Sequence, residues 1–341
     1  MEKARSARHL VISGCLVVSL LMVLFLTSGI SFAAEKVSKI KIQNFTVTND
    51  MDIQWAATLK FTELVDKHTK GLVKMSLHPT GEMVNPREIW TAVSSGTIDA
   101  GCTLDIFEGG THPEFVFGVA SLWTVGEFYK AMNTGVLDIL NRQTLPENIR
   151  IIGYFPLMNY YAVSMRTKHV KTLEDLKGKK IRGMGGSANL FLKKVGAGII
   201  TMPMGEAATA LQTGVVDGVH TGMAGIYGMH LWDNAPYFTV GKHGSFTHFI
   251  FMREDLYKTL PNEAKAGILA AQKELEGWVG GWLTNFWKVV KEDATKKGLR
   301  WYELSPKEIN RWRNLMSDCS VEWVMERSPK LGKELFTVVE K

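Results

Sequence analysis

Two stretches of the chain carry the same ten-position pattern, and this repeat restricts the possible folds more than any other feature. Residues 91–100 read Thr-Ala-Val-Ser-Ser-Gly-Thr-Ile-Asp-Ala, and residues 209–218 read Thr-Ala-Leu-Gln-Thr-Gly-Val-Val-Asp-Gly. Each follows a Pro-x-Gly-Glu segment, at residues 79–82 and 203–206. The pattern predicts a helix ended by glycine, a tight turn, and a buried strand whose aspartate bonds the turn's amides. Two chance turns would look the same, but a true repeat means two similar α/β lobes, with a cleft between them for a small ligand.

The segments around the first copy favour an α/β fold with a mostly parallel sheet. Apolar residues alternate over 39–45, 72–77 and 98–103, which predicts three strands, and they follow a helical period over 52–68. Asn85 and Pro86 supply a cap and a first-turn proline for a second helix that stops at Gly96. Further elements are predicted as a helix over 128–140, strands over 150–155 and 161–165, and mainly helix from 261 onward. This order of strands and helices is typical of a sheet with helices on both faces.

The first 34 residues are typical of a Sec signal peptide. Positive charges lie within residues 1–9, an almost unbroken apolar run covers 10–26, and Ser31-Phe32-Ala33-Ala34 offers small residues for cleavage. The prediction is export to the bacterial periplasm. An uncleaved membrane anchor is the alternative, since the run is near the lower length limit of a spanning helix. A lipid anchor at Cys15 is disfavoured because that cysteine comes before most of the apolar run.

Composition excludes several other classes of protein. The formal net charge is +6, and without the leader's Lys3, Arg5, Arg8 and Glu2 it is +4, too little to indicate a nucleic-acid partner. Only Cys102 and Cys319 lie beyond the leader, so nothing but their even number favours a disulfide. The sequence has no H-E-x-x-H and no G-x-S-x-G, and its histidines show no metal-ligand spacing. We therefore expect no metal, no cofactor and no hydrolase chemistry.

One longer block resembles a known family. Residues 171–182 read Lys-Thr-Leu-Glu-Asp-Leu-Lys-Gly-Lys-Lys-Ile-Arg, and Val195-Gly196-Ala197, Glu206 and the second repeat copy follow in order. This block is similar to the solute-binding proteins of TRAP transporters, the DctP-like family. The resemblance implies a two-lobed Venus-flytrap fold with crossing strands and a long hinge-spanning helix. It also implies a periplasmic receptor, not an enzyme, that closes on a small organic acid and delivers it to the small and large membrane subunits of a permease.

The expected lobes divide the mature chain into four pieces. Lobe one is predicted from residues 35–158 plus 248–290. Lobe two is predicted from residues 159–247 plus 291–341, with the C-terminal helices packing across both lobes.

Arg182 is the main candidate for a ligand contact. It ends a short predicted strand and comes directly before Gly183, where a chain of glycines leads into a helix. A planar guanidinium at a strand end suits a carboxylate bound through two parallel hydrogen bonds. In the family that the block resembles, this position is the main carboxylate ligand, and the resemblance carries the role onto Arg182. The alternative is a surface arginine paired with Asp175 or Glu174.

The other candidates are placed by the same resemblance, and they make the expected pocket less polar than in sialic-acid-binding relatives. Those relatives carry an additional arginine near the place of Tyr160, for which Arg166 is a possible displaced substitute. The remaining contacts that the resemblance places are Thr221 and Met204 in lobe two and Leu104 and Phe107 in lobe one. Phe45 and its loop in lobe one are predicted from their position after the first strand, because ligands bind at the carboxyl ends of strands in such sheets. Such walls leave extra hydroxyl groups without partners. The prediction is a monocarboxylate with an apolar or aromatic body, with Trp123 or Trp232 as further candidates beside the cleft.

Three alternatives are open at this point. Residues 183–188 fit G-x-G-x-x-A, with Glu206 about 20 residues further on, as in a dinucleotide site. Export and the preceding Arg182 disfavour that interpretation. His220 is either a ligand donor or a structural histidine, with the second favoured. Finally, a liganded receptor could dock on a membrane sensor and not on a permease.

Overall fold

The computed structural model describes residues 37–46, 48, 52–117, 124–157 and 161–339. The predicted signal peptide and the site candidates Tyr160 and Trp123 lie outside the described residues, as does part of the loop after Phe45. Two β-sheets with helices against their faces are built from the unit Ser38–Lys341.

Strands and helices alternate along the first part of the chain, close to the predicted positions. In order they are β1 (Ser38–Gln43), α1 (Ile53–His68), β2 (Val73–His78), α2 (Ile89–Ser94), β3 (Ala100–Leu104), α3 (Asp105–Glu108), α4 (Val125–Ala131), α5 (Leu137–Thr144) and β4 (Ile149–Leu157). Asp52 caps α1 by accepting a 2.8 Å hydrogen bond from the Gln54 amide. Asn85 accepts one of 3.0 Å from the Arg87 amide, so both predicted helix starts are confirmed.

The second part of the chain continues the alternation and ends in helices. Its elements are β5 (Tyr161–Met165), β6 (Lys180–Arg182), α6 (Gly186–Lys194), β7 (Gly198–Ile200), α7 (Ala207–Thr213), β8 (Gly218–Gly222), α8 (Met223–Gly228), β9 (Tyr237–Val240), β10 (Phe246–Arg253), α9 (Glu254–Thr259), α10 (Asn262–Lys296), β11 (Arg300–Glu303), α11 (Pro306–Arg327) and α12 (Pro329–Val339). Of the described residues, no helix combines the length and the apolar character that a membrane crossing needs.

The predicted continuous helix over 128–140 is wrong in its middle. A five-residue π-helical segment, Met132–Val136, kinks the chain between α4 and α5. Gly135 in this segment has φ 137°, a backbone conformation that residues with a Cβ rarely adopt. The glycine therefore interrupts a periodicity that the apolar residues on either side continue.

The strands form one five-stranded and one six-stranded mixed sheet. Sheet A has the order β2-β1-β3-β10-β4, and sheet B has the order β11-β9-β5-β8-β6-β7. In sheet A, β1, β2 and β3 are parallel and β10 runs against both of its neighbours. In sheet B, β6, β7 and β8 are parallel and β5 is the reversed strand between β8 and β9. The order β2-β1-β3-β10-β4 in sheet A thus corresponds to β7-β6-β8-β5-β9 in sheet B, and the fourth strand is the reversed one in both.

The repeated sequence pattern occupies equivalent places in the two sheets. Asp99 accepts a 3.3 Å hydrogen bond from the Lys41 amide, and Asp217 accepts one of 2.8 Å from the Lys180 amide. Lys41 lies in β1 and Lys180 begins β6, and each of these strands is parallel to the strand that directly follows the aspartate. The preceding glycines of the two copies have φ 78° and 77°, the left-handed conformation that ends a helix. The pattern is therefore a structural repeat and not a pair of chance turns.

The long helix α10 packs against parts of both halves of the structure. Its first half, with Ile268 and Leu275, is buried against α1 and β4. Its second half, with Phe286 and Val290, belongs to the hydrophobic cluster that covers one face of sheet B. The predicted long helix is confirmed. After β11, α11 packs against α6 and against the Pro113–Phe117 turn that follows α3.

Candidate functional site

The carboxyl ends of the parallel strands in the two sheets are brought close together by two short connections. The chain leaves β4 at Leu157 and enters β5 at Tyr161, so these Cα atoms are at most about 14 Å apart. It returns from β9 to β10 through residues 241–245. The connections are hydrogen-bonded to each other, from the Gly241 amide to the Tyr161 carbonyl at 3.3 Å and from the Tyr161 amide to the Gly244 carbonyl at 3.4 Å. In sheets of this kind, ligands bind beyond the carboxyl ends of the strands, so this junction is the candidate site.

Arg182 lies at this junction as the last residue of β6, between β7 and β8. Its Nε donates a 3.2 Å hydrogen bond to the Met202 carbonyl. Among the residues that the structure describes, no carboxylate forms an ion pair with this half-buried guanidinium. Burial lowers the pKa of Arg182, and no acidic neighbour offsets the effect. Arginine stays protonated in proteins, so a partly desolvated cation with unused donors lies at the strand end.

The two acids that could have paired with Arg182 are occupied by other groups. Glu174 accepts hydrogen bonds from the Arg311 guanidinium, which also holds the pKa of this carboxyl at about 2. Asp175 accepts from the Lys171 amide at 2.9 Å and from the Thr172 amide at 3.1 Å. The interpretation of Arg182 as a surface ion pair with either acid is therefore wrong.

Met204 and Thr221 lie near each other on the face of sheet B to which Arg182 belongs. Arg182 pairs with Val219 on β8, and Thr221 follows two positions later, so it extends from the same face. A Cβ atom at Gly225 would lie 3.2 Å from Met204 Cε and 3.3 Å from Thr221 Oγ1. The structure thus brings Met204 and Thr221 together at the start of α8, on the same sheet face as Arg182. Tyr160, the fourth predicted lobe-two residue, lies outside the described residues, directly before Tyr161.

The predicted lobe-one residues form an aromatic cluster at the carboxyl edge of sheet A. The rings of Phe45 and Phe107 meet edge to face with centroids 5.5 Å apart, and Phe45 lies 5.4 Å from the ring of His248. Leu104 ends β3 and pairs with His248 on β10. Phe107 is 57% exposed, which leaves its ring accessible to a ligand or a partner.

Asp105, directly after Leu104, is a buried carboxyl whose position the sequence did not predict. Its two oxygens accept hydrogen bonds from the Ile106 amide at 2.7 Å and the Thr247 amide at 2.9 Å. Burial raises the pKa of Asp105 to about 8, although these hydrogen bonds lower it in part. Burial, together with the Asp105 charge, also raises the pKa of Tyr161 well above its usual range. Asp105 therefore ties β3 to the start of β10 and does not neutralise Arg182.

His220 is paired with a second histidine that sequence spacing could not identify. Its Nε2 lies 2.9 Å from Nε2 of His243, both rings are fully buried, and both stack on Phe191. Burial, and then the positive charge of Arg182, lower the pKa of His220 to about 3. The pair is neutral at physiological pH and joins β8 to the returning connection, which agrees with the structural interpretation of His220.

The structure also describes two further candidates, Arg166 and Trp232. Arg166 follows Met165, which pairs with Gly218 at the opposite end of β8 from Thr221, so its interpretation as a displaced ligand arginine is wrong. Its amide donates to the Asp217 carbonyl at 3.0 Å, within the structural repeat. Trp232 is buried and its ring lies 5.8 Å from that of Tyr227.

The glycine segment after Arg182 has a local structural cause. Asn189 Oδ1 accepts a 3.0 Å hydrogen bond from the Gly185 amide and occupies the space that a Cβ at Gly183 would need. A side chain of α6 therefore fills the space beside Gly183 and binds the Gly185 amide, which gives this glycine segment a structural role. Within the described ranges, no group of three or more histidine, cysteine or carboxylate side chains could hold a metal ion, and Cys102 and Cys319 are both free and buried.

Comparison with known proteins gives the family. The profile of bacterial extracellular solute-binding protein family 7 (DctP) matches residues 45–324. A solute-binding protein of Albidiferax ferrireducens is 24% identical over 75% of this chain and 76% of its own length. The 2,3-diketo-L-gulonate-binding periplasmic protein YiaO of Escherichia coli is 27% identical over 67% of this chain and 68% of its own.

Solved structures share the two-lobed fold. A TRAP periplasmic solute-binding protein from Ochrobactrum anthropi superposes with a TM-score of 0.78 at 21% identity, over 89% of this chain and 95% of its own. One from Desulfovibrio salexigens with bound orotic acid gives 0.76 at 22% identity, over 89% and 97%. These relatives bind solutes and are not enzymes, and the chain belongs to the DctP family of bacterial extracellular solute-binding proteins.

Proposed function

We propose that this protein is the periplasmic receptor of a TRAP-type secondary transporter and captures a small monocarboxylate with an apolar or aromatic body. Arg182 binds the carboxylate, and the closed protein delivers the acid to the small and large membrane subunits of a permease. The leader, residues 1–34, exports the chain as a Sec signal peptide. The family's relatives support a small organic acid as the ligand, since one from Bordetella pertussis binds pyroglutamic acid, one from Desulfovibrio salexigens holds orotic acid and one from Rhodoferax ferrireducens holds malonate.

The observation that carries the proposal is the unneutralised guanidinium of Arg182. A half-buried cation with one hydrogen bond to a backbone carbonyl has lost part of its hydration without an anionic partner in the described residues. A carboxylate restores that loss, because it accepts two parallel hydrogen bonds from the planar guanidinium. Each charge-assisted bond contributes about 1.5–3 kcal/mol. One such contact therefore accounts for at least about a tenfold gain in affinity.

The apolar side chains around the junction support a ligand with one charged end. Met204 and Thr221 lie together on the face of sheet B from which Arg182 extends, and Phe45, Phe107 and Leu104 lie at the carboxyl edge of sheet A. The carboxyl of Asp105 is taken by two backbone amides, so it offers no strong second polar contact. Extra hydroxyl groups on a ligand would lose water there without gaining partners. Tyr160 completes this set in the proposal.

Closure of two lobes on the acid is the proposed mechanism of capture. The proposed lobe one consists of residues 35–158 plus 248–290 and contains the strands of sheet A, apart from the first two residues of β10. The proposed lobe two consists of residues 159–247 plus 291–341 and contains the strands of sheet B. A ligand that touches Arg182 on one side and the Phe45–Phe107 cluster on the other favours the closed state over the open one.

A thermal-shift screen against organic acids, followed by calorimetry, tests the proposal. The panel pairs aromatic and aliphatic monocarboxylates with the corresponding uncharged amides and with dicarboxylates. We expect an acid to stabilise the protein and its amide to have no effect. Arg182→Ala should abolish measurable binding, and Arg182→Lys should bind poorly because it keeps the charge but loses the planar pair of donors. Arg166→Ala is the matched control, since it removes an arginine from the opposite end of the same sheet.

Two results would contradict the proposal. If Arg182→Ala binds the acid with near-normal affinity, the guanidinium is not the carboxylate contact. If the best ligand is a dicarboxylate or a polyhydroxylated acid, the apolar walls do not select the ligand.

A further inference from the structure

The structure assigns a second binding site to a groove between α10 and the edge of sheet B, and we infer that this groove takes a flat organic anion. We name it the tryptophan–lysine groove after the residues that carry the argument, Trp287, Trp301, Lys242, Lys288, Lys291 and Glu303. It encloses about 360 Å³. This volume is within the range of small-molecule sites.

The groove is built from two regular elements whose side chains converge. Trp287 and Lys291 are four positions apart on α10, so they share one face of the helix. Trp301 and Glu303 alternate on β11 and therefore extend from one face of the sheet, which the register with Phe238 and Val240 identifies as the face covered by α10. Both indole rings are partly exposed, and they supply flat apolar walls.

Positive charge exceeds negative charge in the groove. Glu303 accepts hydrogen bonds from Lys242 at 3.3 Å, from Lys291 at 3.1 Å and from Trp301 Nε1 at 3.1 Å. The Glu303 carboxylate is thus paired with two ammonium groups, those of Lys242 and Lys291. In the described part of the chain, Lys288 forms no ion pair. Lys291 also lies 5.2 Å from the centre of the Trp301 ring, which fixes a cation beside an indole face. An unmatched excess of about two charges remains for an anion.

This combination favours an aromatic carboxylate or sulfonate over other ligands. An aromatic ring stacks on an indole, and its acidic group pairs with Lys288 at the rim. The groove is separate from Arg182, because β11 and β6 are four strand positions apart in sheet B, roughly 19 Å. Lys242 belongs to the connection that returns from sheet B to sheet A, so an occupant of the groove would touch a segment that joins the two sheets.

The test uses the full-length mature chain carrying Arg182→Ala, so that capture at the strand end does not contribute. Calorimetry with 2-naphthalenesulfonate as the probe should show one binding site, and the neutral 2-naphthalenemethanol should bind much more weakly. Lys288→Gln combined with Lys291→Gln should weaken the sulfonate by about tenfold, and added salt should weaken it further. Lys330→Gln, an exposed lysine on α12, is the matched control, and unchanged thermal unfolding of each variant shows that the fold is intact.

Binding that requires both the negative charge and the two lysines supports the second site. Equal affinity for the sulfonate and the alcohol, or an unchanged affinity in the double lysine variant, overturns it. The absence of any heat signal with the sulfonate at millimolar concentration overturns it as well. Because every measurement is made in the Arg182→Ala background, none of these results decides whether Arg182 binds the transported acid.

Discussion

Three glycines within five positions of α10 should each be replaceable by alanine with a gain in stability. Gly277, Gly280 and Gly281 lie inside the helix, and a Cβ added at any of them meets no atom within 4 Å. Alanine therefore gains the helix propensity of about 1 kcal/mol over glycine without a steric cost. The three sites share no contacts through the added methyl groups, so their effects should add to about 2–3 kcal/mol in the triple variant. For a chain of this size, that gain corresponds to an increase of about 5 °C in Tm.

Gly267 in the same helix is the matched control with the opposite sign. Its added Cβ would lie 2.7 Å from Thr69 Cγ2 and 2.8 Å from the His68 carbonyl oxygen, where α10 crosses the end of α1. Backbone atoms cannot move aside as the tip of a flexible side chain can. Gly267→Ala should therefore destabilise the protein by about 1–3 kcal/mol despite the same gain in propensity.

Urea unfolding followed by far-ultraviolet circular dichroism measures both effects on one scale. Each variant is compared with the parent protein by its midpoint and slope. The reasoning is refuted if Gly277→Ala lowers the midpoint, or if Gly267→Ala raises it as the other substitutions do. Either result would mean that the space around these glycines does not decide the outcome.

Two further predictions concern the repeat and the pH dependence of stability. Asp99→Ala and Asp217→Ala each remove the acceptor of a strand amide and should each cost about 1–2 kcal/mol in urea unfolding. Clearly unequal costs of the two single variants would contradict the equivalence of the two copies, and a double variant that departs clearly from the sum would contradict their independence. Burial lowers the pKa of His248 to about 3, below the value near 6.5 of an unfolded chain. The stability that its neutral form contributes is therefore complete above about pH 6.5 and is lost as the pH falls towards 3, by up to about 1.4 kcal/mol per pH unit. His248→Phe, which keeps a ring against Phe155, should show a shallower fall of the unfolding free energy between about pH 7 and 5, and an unchanged slope would show that His248 does not titrate in this range.

The features that could be predicted from the sequence are those in which a backbone conformation requires particular residue types within a few positions. Gly96 and Gly214 each end a helix in the left-handed conformation, and each is followed by an aspartate that binds a neighbouring amide. These requirements act over a few residues, so they leave a repeated pattern in the sequence. The position of Arg182 at a strand end follows for the same reason, because Ile181 and the glycines after it mark the strand and its end.

The features that could not be predicted depend on which strands lie side by side. His220 and His243 are 23 positions apart and meet only because the returning connection passes beside β8. Arg166 lies near the Tyr160 position in the sequence, but β5 runs against β8 and carries it to the far end of the sheet. The tryptophan–lysine groove likewise joins α10 with a strand that follows it. No periodicity in one segment reports such pairings, and only the topology supplies them.

The repeat also gives a physical reason why the proposed carboxylate contact lies in sheet B and not in sheet A. In sheet A, Gln43 occupies the place of Arg182: it pairs with Gly101 on β3 and His78 on β2, as Arg182 pairs with Val219 and Ile200. The Gln43 side chain is fully buried, and it donates to the Pro79 and Asn44 carbonyls and accepts from the Met83 amide.

The side-chain amide of Gln43 therefore holds the loop after β2, and its oxygen and nitrogen are both hydrogen-bonded within the protein and do not face a ligand. Arg182 makes the corresponding bond to the loop after β7 through Nε, while a guanidinium has five N–H donors in total. The backbone of both lobes thus presents a side chain at the same strand end. The Gln43 amide group uses its hydrogen bonds within the protein, whereas Arg182 keeps N–H donors that are not used by the fold. This difference explains why the proposed carboxylate contact belongs to sheet B alone.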